Sequence, residues 1–507
     1  MKTTITIFTL LIAFNLIAIN VAQAQTSLNK NSKNLTQIEE LGKQLFFDKI
    51  ADPDNMSCAD CHGPNVGFTG PNPGINKKGA VYMGAVAQRF GNRKPPSAAY
   101  ATLSPVFNYD EDEELFFGGN FWDGRATGEH LGNPAADQAL GPFLNPVEQN
   151  NASKMEVLMQ VAKSNYSGLW ETVWGEPISY ETPEEIETNY DKIGLAIAAY
   201  EGSNEVNQFS SKYDYYLQGL VDLSEEEMMG MNLFNGVALC SECHISETGP
   251  GGEPPLFTDF TFDNLGTPKN PKNPFYNMDK VFLSNGDPIN PMGDDWIDPG
   301  LGGFLATHPN PVWQAMADEN MGKHKVPTLR NVAKSPGGDK NKAFMHNGVF
   351  KSLQEVVHFY NTRDVESWPP PEVAANVNTD ELGDLGLTEE EEDAIVAFMK
   401  TLSDGYVLPK SSIDLSNINS KVEASINIGP NPFNANTNIN IYLPETSDIE
   451  IAIYSLTGEK ISTIEKGWYS AGKTSIQYIG TKLKNGVYIV SMQVNEQVLT
   501  QKITIVK

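Results

Sequence analysis

Between residues 36 and 405 apolar positions recur at helical spacing in short bursts, separated by long stretches of Gly, Pro and Asn. Thr36-Gln37-Ile38-Glu39 and Ser224-Glu225-Glu226-Glu227 both read as capping boxes, a hydroxyl at the N-cap and Glu three residues on. Each is followed at the same offset by a glycine, Gly42 or Gly230, and then by Leu-Phe, Leu45-Phe46 or Leu233-Phe234. Each half also closes on a similar helix, Ala196-Ile197-Ala198-Ala199-Tyr200 in the first. The second ends on Ala394-Ile395-Val396-Ala397-Phe398, capped by Thr388 with Glu391 at N3. This duplication predicts two mainly helical domains of one type, residues 25–220 and 221–409. The loops between helices hold Phe, Trp and Tyr, as expected of loops that line a bound group. After Gly405 the period shortens to two: a linker over 410–424, then short strands at Ile439–Leu443, Ile449–Ser455, Thr474–Ile479 and Val487–Val494. Turns such as Thr457-Gly458 and Asn485-Gly486 separate them, which predicts a small all-β sandwich over 425–507. At the other end Lys2, the apolar run Ile5 to Ile19 and Ala22-Gln23-Ala24 read as a signal peptide, residues 1–24. That run is short and broken by Asn15, which argues against a membrane anchor.

Length adds only that 507 residues hold about three domains. Charge adds more: 64 acidic against 36 basic residues, a formal −28, argues against a nucleic-acid partner, since phosphate binding depends on Lys and Arg. It suits steering of a basic electron donor, and equally simple solubility. The cysteines change the picture most. All four fall in two copies of Cys-x-x-Cys-His, Cys58-Ala59-Asp60-Cys61-His62 and Cys240-Ser241-Glu242-Cys243-His244. This is the pattern for covalent c-type haem, with two thiols forming thioethers and the adjacent histidine meeting the iron. A four-cysteine zinc site is the alternative, but zinc pairs rarely carry a histidine directly after each second cysteine. The expected fold is therefore mainly α, two cytochrome c-like haem domains in tandem followed by the sandwich, with two covalently bound c-type haems and no disulfide.

The tail resembles the C-terminal sorting domain of proteins exported by the type IX secretion system, through Pro430-Asn431-Pro432-Phe433-Asn434, Ile453-Tyr454-Ser455-Leu456-Thr457-Gly458, Gly486-Val487-Tyr488-Ile489-Val490 and a terminal strand Gln501 to Lys507. The resemblance implies passage from the periplasm to the cell surface or the medium. Residues 36–405 resemble the bacterial dihaem cytochrome c peroxidases and their relative MauG, the enzyme that matures methylamine dehydrogenase. The shared elements are the haem motifs, Gly91-Asn92-Arg93-Lys94-Pro95-Pro96-Ser97, Phe121-Trp122-Asp123-Gly124-Arg125, the stretch from Gln138 to Glu148, Val326-Pro327-Thr328-Leu329-Arg330-Asn331-Val332 and Met345-His346-Asn347-Gly348.

That resemblance implies a peroxidatic first haem, with Gln138 orienting peroxide and Glu148 as general acid and base on its distal side. From the residues alone, Asn145-Pro146 with Glu148 at N3 reads as an ordinary helix start. Conventional members carry a ligating histidine in the loop after the first motif; here no histidine lies between His62 and His130, leaving Met83, Tyr82 or an open iron. The second haem's sixth ligand falls on Tyr360, fourteen residues after His346, with His358 and Met345 as minor candidates. Leu353, Val357 and Tyr360 share a helical face, from which His358 points away. Trp122 matches the tryptophan between the haems, and Arg125 and Arg330 pair with haem propionates or make structural salt bridges. The family's calcium ligand, an asparagine, is replaced by Tyr100, which puts calcium in doubt. The expected function is reduction of hydrogen peroxide, with electrons from a small cytochrome c or cupredoxin or, as in MauG, from a protein substrate. A homodimer is compatible with it. The alternative is a cell-surface electron-transfer cytochrome with both irons six-coordinate. Residues 151–190 depart from the family pattern and are expected to shape a substrate surface.

Overall fold

The structure is a computed structural model and describes residues 34–249, 252–336, 338, 341–409, 424–444, 446–455, 460–494 and 497–506. The signal peptide, the linker up to residue 423, and the Thr457-Gly458 turn lie outside the described residues. The longer helices are α1 (Gln37–Phe47), α2 (Pro134–Leu144), α3 (Lys154–Lys163), α4 (Ser167–Trp174), α5 (Pro183–Glu201), α6 (Glu225–Phe234), α7 (Leu353–Thr362) and α8 (Glu389–Lys400). Among the described residues no helix is long and apolar enough to cross a membrane.

The capping boxes form as the sequence implies. The Thr36 N–H donates to Glu39 Oε2 at 2.6 Å, the Ser224 N–H to Glu227 Oε2 at 2.7 Å, and the Thr388 N–H to Glu391 Oε2 at 2.8 Å. The glycine at a fixed offset has a tertiary cause. A methyl group on Gly42 would lie 1.8 Å from the Ala196 carbonyl oxygen, and one on Gly230 equally 1.8 Å from that of Ala394. α1 thus crosses α5 backbone to backbone, and α6 crosses α8 the same way, so the repeat is a repeated helix crossing.

Two apolar cores follow. Leu41, Leu45, Phe46, Phe143, Tyr190 and Ile193 belong to the first; Phe234, Phe257, Leu353, Phe359 and Phe398 belong to the second. Within residues 151–190, Val157, Leu158, Val161 and Trp170 are fully buried in the first core, which anchors α3 and α4 there. Both cores lie in one compact unit that ends at Leu408. Buried polar contacts tie the halves: Tyr100 donates to Asp404 at 2.7 Å, and Lys342 Nζ to the Val66 carbonyl at 2.8 Å.

Residues 409–507 form a second unit. Its strands are β1 (Ser425–Gly429), β2 (Asn436–Leu443), β3 (Ser447–Tyr454), β4 (Lys460–Tyr469), β5 (Gly472–Ile479), β6 (Gly486–Val494) and β7 (Gln497–Ile505). They pair antiparallel in two sheets, β1-β2-β5 and β7-β6-β3-β4. Ile439 and Ile441 of one sheet and Ile451, Val490 and Met492 of the other share one core.

Candidate active site

Each Cys-x-x-Cys-His folds as a single helical turn, Cys58–Cys61 and Cys240–Cys243, ended by its histidine. His62 Nδ1 lies 3.1 Å from the Phe68 carbonyl oxygen, and His244 Nδ1 2.9 Å from that of Phe257. A carbonyl only accepts, so the proton sits on Nδ1 and Nε2 keeps its lone pair, the tautomer an iron ligand needs. Burial lowers the pKa of both rings, His244 to about 4, which keeps them neutral.

Cys58 and Cys61 line a cavity of about 390 Å³, and Cys240 and Cys243 line another of about 150 Å³. The pairs face different cavities, so they do not compose one four-cysteine zinc site. Burial pushes the Cys58 and Cys240 thiols up to about 12 and raises Cys61 and Cys243 as well. Two separate cavities, each offering two neutral thiols and one imidazole lone pair, fit two covalently held haems.

Gln138, on α2, and Glu148 both line the first cavity. Glu148 does not open a helix: α2 ends at Leu144, and Asn145 to Gln149 form a turn. Asn145 donates its amide to Glu148 Oε2 at 2.7 Å, and among the described residues no donor bonds Oε1. Burial raises the pKa of this carboxyl, opposed by Arg125 and the Asn145 amide. Tyr82 and Met83 also line the first cavity, but both have other partners. The Tyr82 hydroxyl accepts the Asn72 N–H at 2.6 Å and donates to Asn76, while Met83 is exposed and its sulfur accepts the Gln88 N–H.

Tyr360 lines the second cavity together with Met345. His358 points away, with Nδ1 3.0 Å from Glu392. Trp122 lines both cavities and also a smaller one of about 80 Å³; its Nε1 donates to the Lys94 carbonyl at 2.8 Å. Arg125 lines the first cavity, paired with Asp123 at 2.8 Å and stacked on Phe121. Arg330 corrects its expectation as a propionate ligand. It lines none of these three cavities; its guanidinium forks onto Asp214 at 2.9 and 3.1 Å, donates to the Pro255 carbonyl and stacks between Tyr100 and Phe209. Asp214, Tyr100 and Phe209 capture it, a pairing that local sequence does not reveal.

Two features escaped sequence reasoning. Glu201 ends α5, is buried, and lines the first cavity, where burial alone pushes its carboxyl up to about 8. Its signal was available, since Ile193, Ile197, Tyr200 and Glu201 fall on one helical face. The other is a buried ionic chain: Arg93 forks onto Asp298 at 2.6 and 2.7 Å and reaches Asp123 at 2.6 Å. It joins the Gly91–Ser97 and Phe121–Arg125 motifs to a residue two hundred positions away, and such pairings have no local signature.

Residues 36–222 match the family model for di-haem cytochrome c peroxidase, and residues 427–506 match that for the secretion system C-terminal sorting domain. The chain is 34% identical to the methylamine utilization protein MauG of Paracoccus denitrificans over 380 residues, 72% of this chain and 88% of that protein. It is 24% identical to the cytochrome-c peroxidase IdrP2 of Denitromonas iodatirespirans, over 72% of this chain and 81% of the relative. Among solved structures, the diheme peroxidase BthA of Burkholderia thailandensis superposes with a TM-score of 0.59 at 29% identity, covering 74% of this chain and 87% of that one. Likeness of that extent to MauG, together with the peroxidase match over the first haem motif, shows that the chain belongs to the di-haem cytochrome c peroxidase and MauG family and carries a secretion-system sorting domain as its tail.

Proposed function

We propose that this protein is an exported dihaem oxidoreductase that reacts with hydrogen peroxide in the first cavity and oxidises a partner through the second. In this reading residues 25–220 and 221–409 are tandem cytochrome c-like haem domains. Cys58 and Cys61 hold one haem and Cys240 and Cys243 the other, with His62, His244 and Tyr360 as iron ligands. Residues 425–507 are a sandwich that carries the chain from the periplasm to the surface or the medium. Calcium is left out, because Tyr100 at the expected position donates its hydroxyl to Asp404.

The carrying observation is the first cavity: Glu148 and Gln138 face it with His62, while Tyr82 and Met83 are held by other partners. A haem iron with one open face binds and reduces peroxide, and one held on both faces passes electrons. The chain's own part is positioning and proton transfer. The Gln138 amide orients peroxide by hydrogen bonding. Asn145 fixes one oxygen of Glu148, so Oε1 takes the proton from peroxide and returns it to the leaving oxygen. Arg125 keeps Glu148 able to ionise despite its burial and offers its remaining N–H groups to a propionate. Trp122, facing both cavities, is the bridge for electrons between them. A phenolate at Tyr360 favours oxidised iron, which supports oxidation of a protein substrate over a supply of electrons from a small cytochrome or cupredoxin.

The test is stopped-flow absorbance on haem-loaded, fully oxidised protein mixed with stoichiometric hydrogen peroxide. A fast spectral change without pre-reduction is expected. Reaction only after one haem is reduced indicates a first iron gated by a side chain, and silence in both states leaves an electron-transfer cytochrome.

A further inference from the structure

We propose that the cation between the two haem cavities is the chain's own Lys325 ammonium, standing where relatives in this family hold calcium, so that the haem-loaded protein needs no divalent ion there. The proposal rests on the dihaem reading above and concerns the cavity of about 80 Å³ that Trp122 also lines.

Tyr100 marks the place. It occupies the position of the family's asparagine ligand, lines the small cavity, and has a left-handed backbone, φ 64° and ψ 2°. That conformation suits asparagine and is uncommon for a bulky side chain. The loop therefore presents a backbone shaped for the ligand with a side chain engaged elsewhere: the Tyr100 hydroxyl donates to Asp404 at 2.7 Å and accepts the Phe209 N–H at 3.1 Å. Calcium takes about six to eight oxygens, with carboxylates among them. Among the described residues lining this cavity the one carboxyl is Glu201, and burial pushes it up to about 8, which holds it uncharged near neutral pH. The residues do not fit calcium.

They fit an ammonium. Lys325 Nζ donates to the Gly119 carbonyl and to Ser104 Oγ, with Asn120 Oδ1 at 3.5 Å as a third acceptor, and lies 5.3 Å from the centre of the Phe260 ring. Three oxygens answer three N–H groups. The acceptors are themselves fixed. Ser104 donates its own O–H to the Gly119 carbonyl at 2.7 Å, which leaves its lone pairs for Lys325. The Asn120 amide donates to the Ala101 carbonyl at 3.1 Å, which leaves Oδ1. Gly119 is brought here by close backbone approach, since a methyl group on it would lie 2.5 Å from the Gly124 carbonyl oxygen. A divalent ion sharing these oxygens would be repelled by the ammonium already on them.

The charge also stands beside the bridge between the cavities. The Lys325 N–H donates to the Trp122 carbonyl at 2.9 Å, and Lys325 lines the second cavity as well as the small one. Burial alone lowers its pKa to about 7, with no carboxylate among the described residues to oppose it. A cation in such a place is costly until a negative group meets it. The carboxylates that a haem brings into the second cavity are groups of that kind, so haem loading favours the ammonium. A fixed cation beside a haem in turn favours the reduced, less positive iron.

The test uses the haem-loaded wild-type chain, its two haems counted by absorbance, dialysed against EGTA or against calcium chloride and then gel-filtered. The two samples are expected to share one absorbance spectrum and one thermal midpoint, with no calcium retained by mass spectrometry. One calcium retained per chain, or a midpoint raised by calcium, overturns the proposal. Lys325→Met removes the charge at similar volume and is expected to lower the equilibrium constant for reducing the second haem by about tenfold in a spectroelectrochemical titration, with Lys325→Arg restoring most of it. Equal reduction midpoints in Lys325→Met and wild type overturn the proposal as well. Should Lys325→Met fail to hold haem, the calcium measurement decides alone. A wild-type chain that takes up no haem refutes the dihaem reading itself, and that outcome is seen before any calcium is added.

Discussion

Glu148 and Glu201 line the same cavity in opposite settings. Arg125 and the Asn145 amide steady the Glu148 anion, whereas Glu201 has burial alone. Removing a general acid and base costs about 10²–10⁴-fold in rate. Glu148→Gln is accordingly expected to slow the peroxide reaction by that factor in stopped-flow, with the oxidised haem spectrum retained; an unchanged rate would make the residue structural. Glu201 predicts a pH effect instead. With a folded pKa near 8 against 4.5 when unfolded, the folded state binds more protons between those values, so stability falls as pH rises through that window. Gln cannot ionise. The thermal midpoint of Glu201→Gln should gain on the wild type from pH 5 to pH 8, and a constant difference would refute the shift.

At the scale of elements, the two glycine crossings are the most exposed prediction. Gly42→Ala and Gly230→Ala each drive a methyl group to 1.8 Å from a facing carbonyl oxygen, so each should destabilise by ~1–3 kcal/mol or more in denaturant unfolding followed by haem absorbance. Gly168→Ala on α4, with open space around it, should be neutral or stabilising. The repeat of caps, glycines and Leu-Phe was legible because it is local and periodic. The end of α2 was not: Asn145-Pro146 suits a helix start as well as a turn, and packing of the Asn145 amide on Glu148 decides between them. β4 also escaped notice, since its side chains are mostly exposed and lack the alternation of a half-buried strand.

At the scale of the molecule, residues up to 408 and residues 409–507 have separate cores. A chain ending at Leu408 is therefore expected to keep the haem spectrum and the unfolding midpoint of the full-length protein to within about 1 kcal/mol. Loss of haem on truncation would show that the tail supports the fold. The two haem-motif halves should not separate in the same way, because Tyr100–Asp404, Lys342–Val66 and Arg93–Asp298 cross between them in buried surroundings. A cut near residue 220 leaves those groups without partners, at ~1–3 kcal/mol each.

Sequence alone determined what depends on neighbours along the chain: the turns at the two Cys-x-x-Cys-His motifs, the caps, the duplicated helix pair and the change of period after Gly405. Each of these is set by spacings of a few residues, where backbone geometry translates pattern into shape. Tertiary structure decided which charges meet. It sent Arg330 to Asp214, Arg93 to Asp298, Tyr100 to Asp404 and Lys325 to Gly119. These ion pairs and hydrogen bonds span up to three hundred residues, and burial favours them because an unpaired charge has no water to turn to.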